Sequence, residues 1–408
     1  MNELEVKELL EKASFTRTGG SAEELRCAEI FVEECKKRGY EAHIEDFRVQ
    51  MADIEECSIT ADGEEIKCLG YKNSACTPKA GITAELYYLN DDNEEMLSDV
   101  KGKIVLVDGY LRKATYDNLV KHGALAFIAY NGDPNYSDDD IDQRELRFQV
   151  YKDQGKIPGF QINVKDAIKL ISKRVKEVKV VLYQREYSAN SRNVVLDIPG
   201  EIAETIIFSG HYDSTPLSFG SYDNLSGAVG ILGILDNLKG TKPHRSLRFV
   251  WCGSEERGLL GSKAYVKMHA KELGNVRMNI NIDMIGCIMG SVIACCTAEE
   301  ALVNYINYLG NMEGFRIKAY QDVYSSDSTP FADKGIPSIS FARIARGNLH
   351  PIHCRYDNMS EMDMGHMVED INFITLFAKK MIDAKYFPVK RTMPANMVEK
   401  LDKYLGRK

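Results

Sequence analysis

The 408-residue chain has no apolar run approaching the ~18–20 residues that cross a bilayer. It has no low-complexity tract and no basic stripe. Its 60 acidic residues outnumber 52 basic ones, for a formal net charge of -8. Nucleic-acid binding needs clustered Lys and Arg, so neither a nucleic acid nor a membrane is expected as a partner. The opening MNELEVKELLEKASF alternates acids with bases and lacks the apolar core of a secretory signal, so a cytoplasmic location is the expectation. Ten cysteines are scattered without any CxxC spacing, and Cys252, Cys287, Cys295 and Cys296 sit inside apolar runs. They are expected to be reduced thiols acting as small hydrophobes rather than a disulfide framework.

What is present is ordinary for a soluble globular protein, 44% hydrophobic and 27% charged, and long enough for more than one domain. Residues 21–38, SAEELRCAEIFVEECKKR, open with Ser21 and, three residues on, Glu24. That is a capping-box pattern. Leu25, Ala28, Phe31, Val32 and Cys35 then recur at helical spacing, and Gly39 is expected to stop the helix. From about residue 53 the texture changes to short strands such as KIVLVD (103–108), ALAFIAY (124–130) and VKVVLY (178–183), joined by the acidic loops NDDNEE and YSDDDID. From residue 193 apolar strands (VVLDIP, TIIFSG, SLRFVWCG, NINIDMIG, SVIACC, SISFA) alternate with helical segments at 226–238, 260–273, 301–309 and 364–381. Near-continuous apolar strands alternating with amphipathic helices predict an α/β fold, a mostly parallel mixed sheet sandwiched by helices. Ligands in such sheets sit outside the carboxyl ends of the strands.

Chemistry-bearing residues recur at those ends. TIIFSG is followed by His211 and Asp213, and Asp223-Asn224 precedes the next helix. SLRFVWCGS runs into Glu255-Glu256, NINI ends in Asp283, and the loop after SISFA holds His350, His353 and Asp357. Singly, each has a plain structural use: a hydrogen-bonded loop, a helix cap, or acids at a helix N-terminus. Two imidazoles with three or four carboxylates in one crevice would instead be an uncompensated acidic cluster, which a cation resolves. Mixed His/Asp/Glu ligation suits zinc or similar divalent ions. Five ligands suffice for two ions if one carboxylate bridges, and one further carboxylate is left as a base.

The motifs GHYDS, SYDNLSG, GSEERGLLGS, NIDMIG, SSDSTPFADKGIP and HCRYDN, in that order over residues 193–385, resemble the dinuclear zinc aminopeptidase family. That family includes bacterial leucyl aminopeptidase, plasma glutamate carboxypeptidase and the transferrin receptor ectodomain. GGSAEELRCAEIFVEECKKRGY looks like the family's opening helix. GKIVLVDG, HGALAFIAYN and IPGFQINVKDAIKL resemble a protease-associated domain. The resemblance implies a discontinuous peptidase domain, 1–52 plus 186–408, with a smaller β-rich α+β domain inserted at 53–185.

By the same resemblance His211 and Asp283 would hold one ion, Glu256 and His353 the other, and Asp223 would bridge them. Asp213 would orient His211, Glu255 would be the general base, and Tyr324 is the candidate donor to the developing oxyanion. The implied cofactor is a pair of divalent ions, zinc first, with cobalt or manganese tolerated by similar ligands. The implied partner is a peptide with a free N-terminus, and a homo-oligomer is left open. Where the family commonly has His after Ser326-Asp327, this chain has Ser328, and the loop from His211 to Asp223 looks short. Three rivals stand beside the aminopeptidase reading. A carboxypeptidase or dipeptidase on the same scaffold would use Arg343, Arg346 or Arg355 for the substrate carboxylate. A one-zinc cyclase-like enzyme would not need five ligands, and a non-enzymatic receptor-like relative should have lost some of them.

Overall fold

A computed structural model describes every residue except Tyr110, Asp153, Gln154, Asn348 and Lys408. The chain divides into two compact units, Met1–Val49 with Asn190–Lys408, and Gln50–Ala189. Two long strands, Ala42–Ala61 and Glu177–Ile198, carry the chain out of the first unit and back. The sequence boundaries at 52/53 and 185/186 fall within these strands.

In the larger unit the sheet runs in the order Ile317–Gln321, Ser291–Thr297, Ser338–Ile344, Val276–Ile282, Ile202–His211, Arg245–Cys252 and the end of Glu177–Ile198. Ser338–Ile344, Val276–Ile282, Ile202–His211 and Arg245–Cys252 are mutually parallel. Ser291–Thr297 and residues 194–198 pair antiparallel on either side of them. The apolar runs are continuous because both faces are covered. Ile206 and Phe208 enter a core with Phe249, Trp251 and Ile280, whereas Ile207 between them joins Val250, Val276, Tyr265 and Phe331. Phe208 stacks on Phe249 with centroids 4.9 Å apart, and Phe31 of the second helix stacks on Trp251 at 5.6 Å. Each such side chain contributes about 1.5–3 kcal/mol by burial. These contacts make the strand ends a stiff platform.

The helix Ala22–Lys37 forms where the periodicity places it, and Gly39 ends it at φ +86°. Its start departs from the expected reciprocal cap. Ser21 does accept from the Glu24 backbone N–H at 3.0 Å, but the Glu24 side chain does not reach back to Ser21. Its carboxyl accepts from the Gly20 N–H at 2.9 Å and from Ser191 Oγ at 2.5 Å, and it is fully buried. A tertiary partner 167 residues away displaces the local one.

The smaller unit has a parallel run of Ile82–Leu89, Ile104–Asp108, Ala126–Asn131 and Gly159–Asn163, with Leu69–Gly70 and residues 177–180 antiparallel at its edges. A two-residue Asp62-Gly63 turn, both at positive φ, closes its hairpin. All ten cysteines are free thiols. Among the described residues no helix is long and apolar enough to cross a membrane.

Candidate active site

The register of the central strands sets the site. Cys252 lies opposite His211, and Asn281 opposite Ser209. The segments that follow, carrying Glu255-Glu256 and Asp283, therefore leave the sheet at the level of His211. His211 Nε2 lies 3.3 Å from Asp223 Oδ1 and 3.7 Å from Asp283 Oδ1. His353 Nε2 lies 3.1 Å from Asp223 Oδ2 and 3.1 Å from Glu256 Oε2. Asp223 thus turns one carboxylate oxygen toward each imidazole. Glu255 Oε2 is 3.9 Å from His211 Nε2 and belongs to neither close group.

Asp213 is fully buried and has two tasks. Its Oδ1 lies 3.4 Å from His211 Nδ1, and its two oxygens accept the Glu255 N–H at 2.9 Å and the Glu256 N–H at 3.3 Å. One carboxylate therefore fixes both an imidazole and the turn bearing the Glu pair. Ser254, just before that turn, sits at φ +53°, and Met284 and His353 at +65° and +60°. Left-handed backbone at non-glycine residues persists only where surrounding contacts over-determine it, and it clusters at functional sites.

Three further residues complete the site that sequence reasoning did not assign. Asp357 accepts the Tyr222 N–H at 2.8 Å and the Asp223 N–H at 3.1 Å, so it holds the backbone under the shared carboxylate. Asn224, joined to Asp223 by a cis peptide, accepts from Gly227 and Met284 and donates to Ile282 O. Asp327 is buried beside Cys252 and Ser262, and burial pushes its carboxyl up to about 7. Each had a local signal, Asp or Asn beside a motif, but none that named its distant partner.

Electrostatics describe a cluster short of positive charge. Burial works against both imidazoles carrying a proton. Even so, carboxylates, led by Glu255 at His211 and by Glu256 at His353, hold both well above their ordinary value. Burial pushes Glu255 well up, opposed by His211 and reinforced by Glu256, Asp327 and Asp283. Asp283 is likewise raised by burial. Asp223 is buried too, yet the two imidazoles bonded to it hold it below its ordinary value. Two sets of donor atoms, His211 with Asp223 and Asp283, and Asp223 with Glu256 and His353, each lie within 4.8 Å of one another. A buried mixed N/O donor set with surplus negative charge fits two divalent cations sharing Asp223.

Neighbouring residues sort themselves by their partners. His350 faces away from the cluster: its Nδ1 pairs with Glu361, and its Nε2 accepts the Met289 N–H at 3.0 Å. Ser328 joins a hydroxyl network with Ser326 and Ser340, which Asn281 extends toward Ser209. Tyr324 stands on the loop between Ile317–Gln321 and Ser328–Ala332, its phenol pushed well up by burial and then by Asp283 and Asp223. Arg343 is gripped by buried Asp370 through two bonds of 2.9 and 2.7 Å, whereas Arg346 and Arg355 are exposed.

This cluster stands at the carboxyl ends of the sheet's parallel strands and has a donor set suited to a metal-dependent hydrolase. Residues 193–374 match Peptidase family M28, and residues 62–170 match the PA domain. These matches support a metallo-exopeptidase with an inserted PA domain. It is 28% identical to Aminopeptidase YwaD of Bacillus subtilis over 356 residues, 81% of this chain and 73% of that protein. It is 24% identical to mouse Carboxypeptidase Q over 382 residues, 86% of this chain and 79% of that one. Its fold is that of BSAP, a zinc aminopeptidase from Bacillus subtilis, with a TM-score of 0.79, 23% identity, and 96% and 97% of the two chains covered. An aminopeptidase from Aneurinibacillus aligns with a TM-score of 0.73 at 20% identity, over 95% and 96%.

Proposed function

We propose that the chain is a dinuclear zinc aminopeptidase, and one observation supports this most: Asp223 offers Oδ1 beside His211 and Oδ2 beside His353. In this reading His211, Asp223 and Asp283 would hold one ion, and Asp223, Glu256 and His353 the other. Cobalt or manganese would satisfy the same donors. Bound there, two cations lower the pKa of a water and polarise the scissile carbonyl.

The rest of the work falls to the chain's own side chains. Glu255, outside both donor sets, takes the proton of the attacking water at its carboxylate and returns it to the leaving amine, a contribution of about 10²–10⁴-fold. The burial that raises its proton affinity suits a group that must accept a proton. Asp213 keeps His211 aimed and holds the Glu255-Glu256 turn through two backbone N–H groups. The Tyr324 hydroxyl, whose proton burial makes hard to remove, serves as donor to the oxygen that gains charge. Arg343, committed to Asp370, is a poor receptor for a substrate carboxylate, so the carboxypeptidase alternative would fall to Arg346 or Arg355. The ten free thiols fit a reducing, cytoplasmic compartment.

Hydrolysis of a short peptide with a free amine is compared with that of its N-acetylated form, each with and without chelator. Cleavage of the free peptide only, abolished by chelator, is the expected result. Cleavage of the acetylated peptide as fast as the free one would overturn the aminopeptidase reading in favour of a carboxypeptidase, which does not depend on the N-terminus.

A further inference from the structure

Arg17 lies on the segment between the helices Glu3–Ala13 and Ala22–Lys37, almost two hundred residues before the loop it serves. Its side chain is fully buried. A buried cation is ordinarily matched by a carboxylate, yet among the described residues no carboxylate lies within ion-pair distance of this one. Instead its guanidinium donates to four backbone carbonyls. Nε donates to Tyr212 O, Nη1 to Phe15 O at 3.0 Å and to Phe219 O, and Nη2 to Gly220 O at 2.7 Å. Three of these carbonyls belong to the loop that leaves the sheet at His211 and returns at Asp223.

The surrounding contacts join the same two segments. Ser14 Oγ meets Ser221 Oγ at 2.6 Å, Thr16 Oγ1 donates to Ser218 O at 3.1 Å, and the Arg17 N–H donates to Ser214 Oγ at 3.1 Å. Gly220 turns the loop toward Asp223 at φ +56°, where a Cβ would lie 2.5 Å from Asp223 O and 3.1 Å from Arg17 Nη2. The loop is thus closed around the guanidinium, with one candidate metal ligand at each end.

We propose that Arg17 is a positioning residue that locks the loop from Tyr212 to Gly220, thereby fixing the spacing of His211 and Asp223 and setting how firmly the site holds its ions. The second half of this inference rests on the two-metal reading; the first half does not. A planar fork reaching carbonyls in several directions is something Lys, a compact point charge, does not reproduce. The contacts come from Arg17, its neighbours Ser14 and Thr16, and the loop's own residues, and none of them uses a side chain of the donor sets.

Arg17→Lys and Arg17→Ala are compared with the full-length wild type. Amide hydrogen exchange over residues 212–224 is followed in the metal-free protein, and zinc affinity is measured by competition with a chromogenic chelator. In both variants exchange should quicken in this loop while the strands of the unit Gln50–Ala189 stay protected. Zinc affinity should fall about 10–100-fold, the usual cost of losing a residue that orients ligands. Added guanidinium ion should restore both readouts in Arg17→Ala. Loop protection equal to wild type, or exchange quickened evenly through the peptidase unit with zinc affinity unchanged, would overturn the proposal. A wild type that takes up no zinc, with a loop that still responds to Arg17, would sink the two-metal reading and leave the lock standing.

Discussion

Glu24 offers a quantitative test of how the site is braced. Its carboxyl is fully buried, accepts from Ser191 Oγ and the Gly20 N–H, and has Arg192 at 3.5 Å. Ser191 in turn lies 2.8 Å from Ser254 Oγ, beside the Glu255-Glu256 turn. Burial outweighs these bonds and, with Asp213 nearby, pushes Glu24 from its ordinary 4.5 up to about 8. Between those values the folded protein keeps a proton that the unfolded chain has released. The stabilisation is therefore complete below about pH 4.5 and is lost as pH rises toward about 8. The gap, 8 − 4.5 = 3.5, at about 1.36 kcal/mol for each pH unit, sets a ceiling of ~5 kcal/mol. Glu24→Gln keeps the shape and removes the titration. Urea unfolding of both metal-free proteins across this range isolates the effect, because every other titrating group is common to the pair. The wild type should lose stability relative to Glu24→Gln by up to about 1.4 kcal/mol for each pH unit. A difference that stays flat across the range would refute the account of Glu24 as a buried, proton-holding brace.

Other expectations follow from particular contacts. Glu255→Gln should keep its metal content, measured by elemental analysis, and lose about 10²–10⁴ in kcat; full turnover in that variant would remove Glu255 from the mechanism. Asp213→Asn leaves one acceptor where two N–H groups and an imidazole converge, so zinc affinity or kcat should drop about 10–100-fold, and neither changing would exclude Asp213 from the site. Asp370→Ala leaves the buried Arg343 guanidinium with only the more distant Glu369 at 3.8 Å and should cost about 3–5 kcal/mol in urea unfolding. The double change Asp370→Ala with Arg343→Met should recover most of that loss, and a double variant no more stable than the single one would contradict this.

The parts of the fold legible in the sequence are those written in one stretch of chain. Ile206, Ile207 and Phe208 form one apolar run because alternate side chains enter cores on opposite faces of the sheet. A strand buried on both sides announces itself this way, and the polar residues after each strand stand out against it. The bracing was not legible, because its rules are not local. Ser21 and Glu24 satisfy a capping pattern, yet Glu24 is drawn to Ser191 and Gly20. Arg17 reads as an ordinary loop cation, since three of its four carbonyl partners lie about two hundred positions away, which no side-chain pattern encodes. Asp357 marks the end of a motif, while its function lies in two N–H groups at Tyr222 and Asp223.

The central claim is that Asp223 is shared between two cations, and counting the ions tests it most directly. Metal-free wild-type protein titrated with zinc in a calorimeter should bind two ions per chain, as the two donor sets meeting at Asp223 require. Saturation at a single ion would contradict the account.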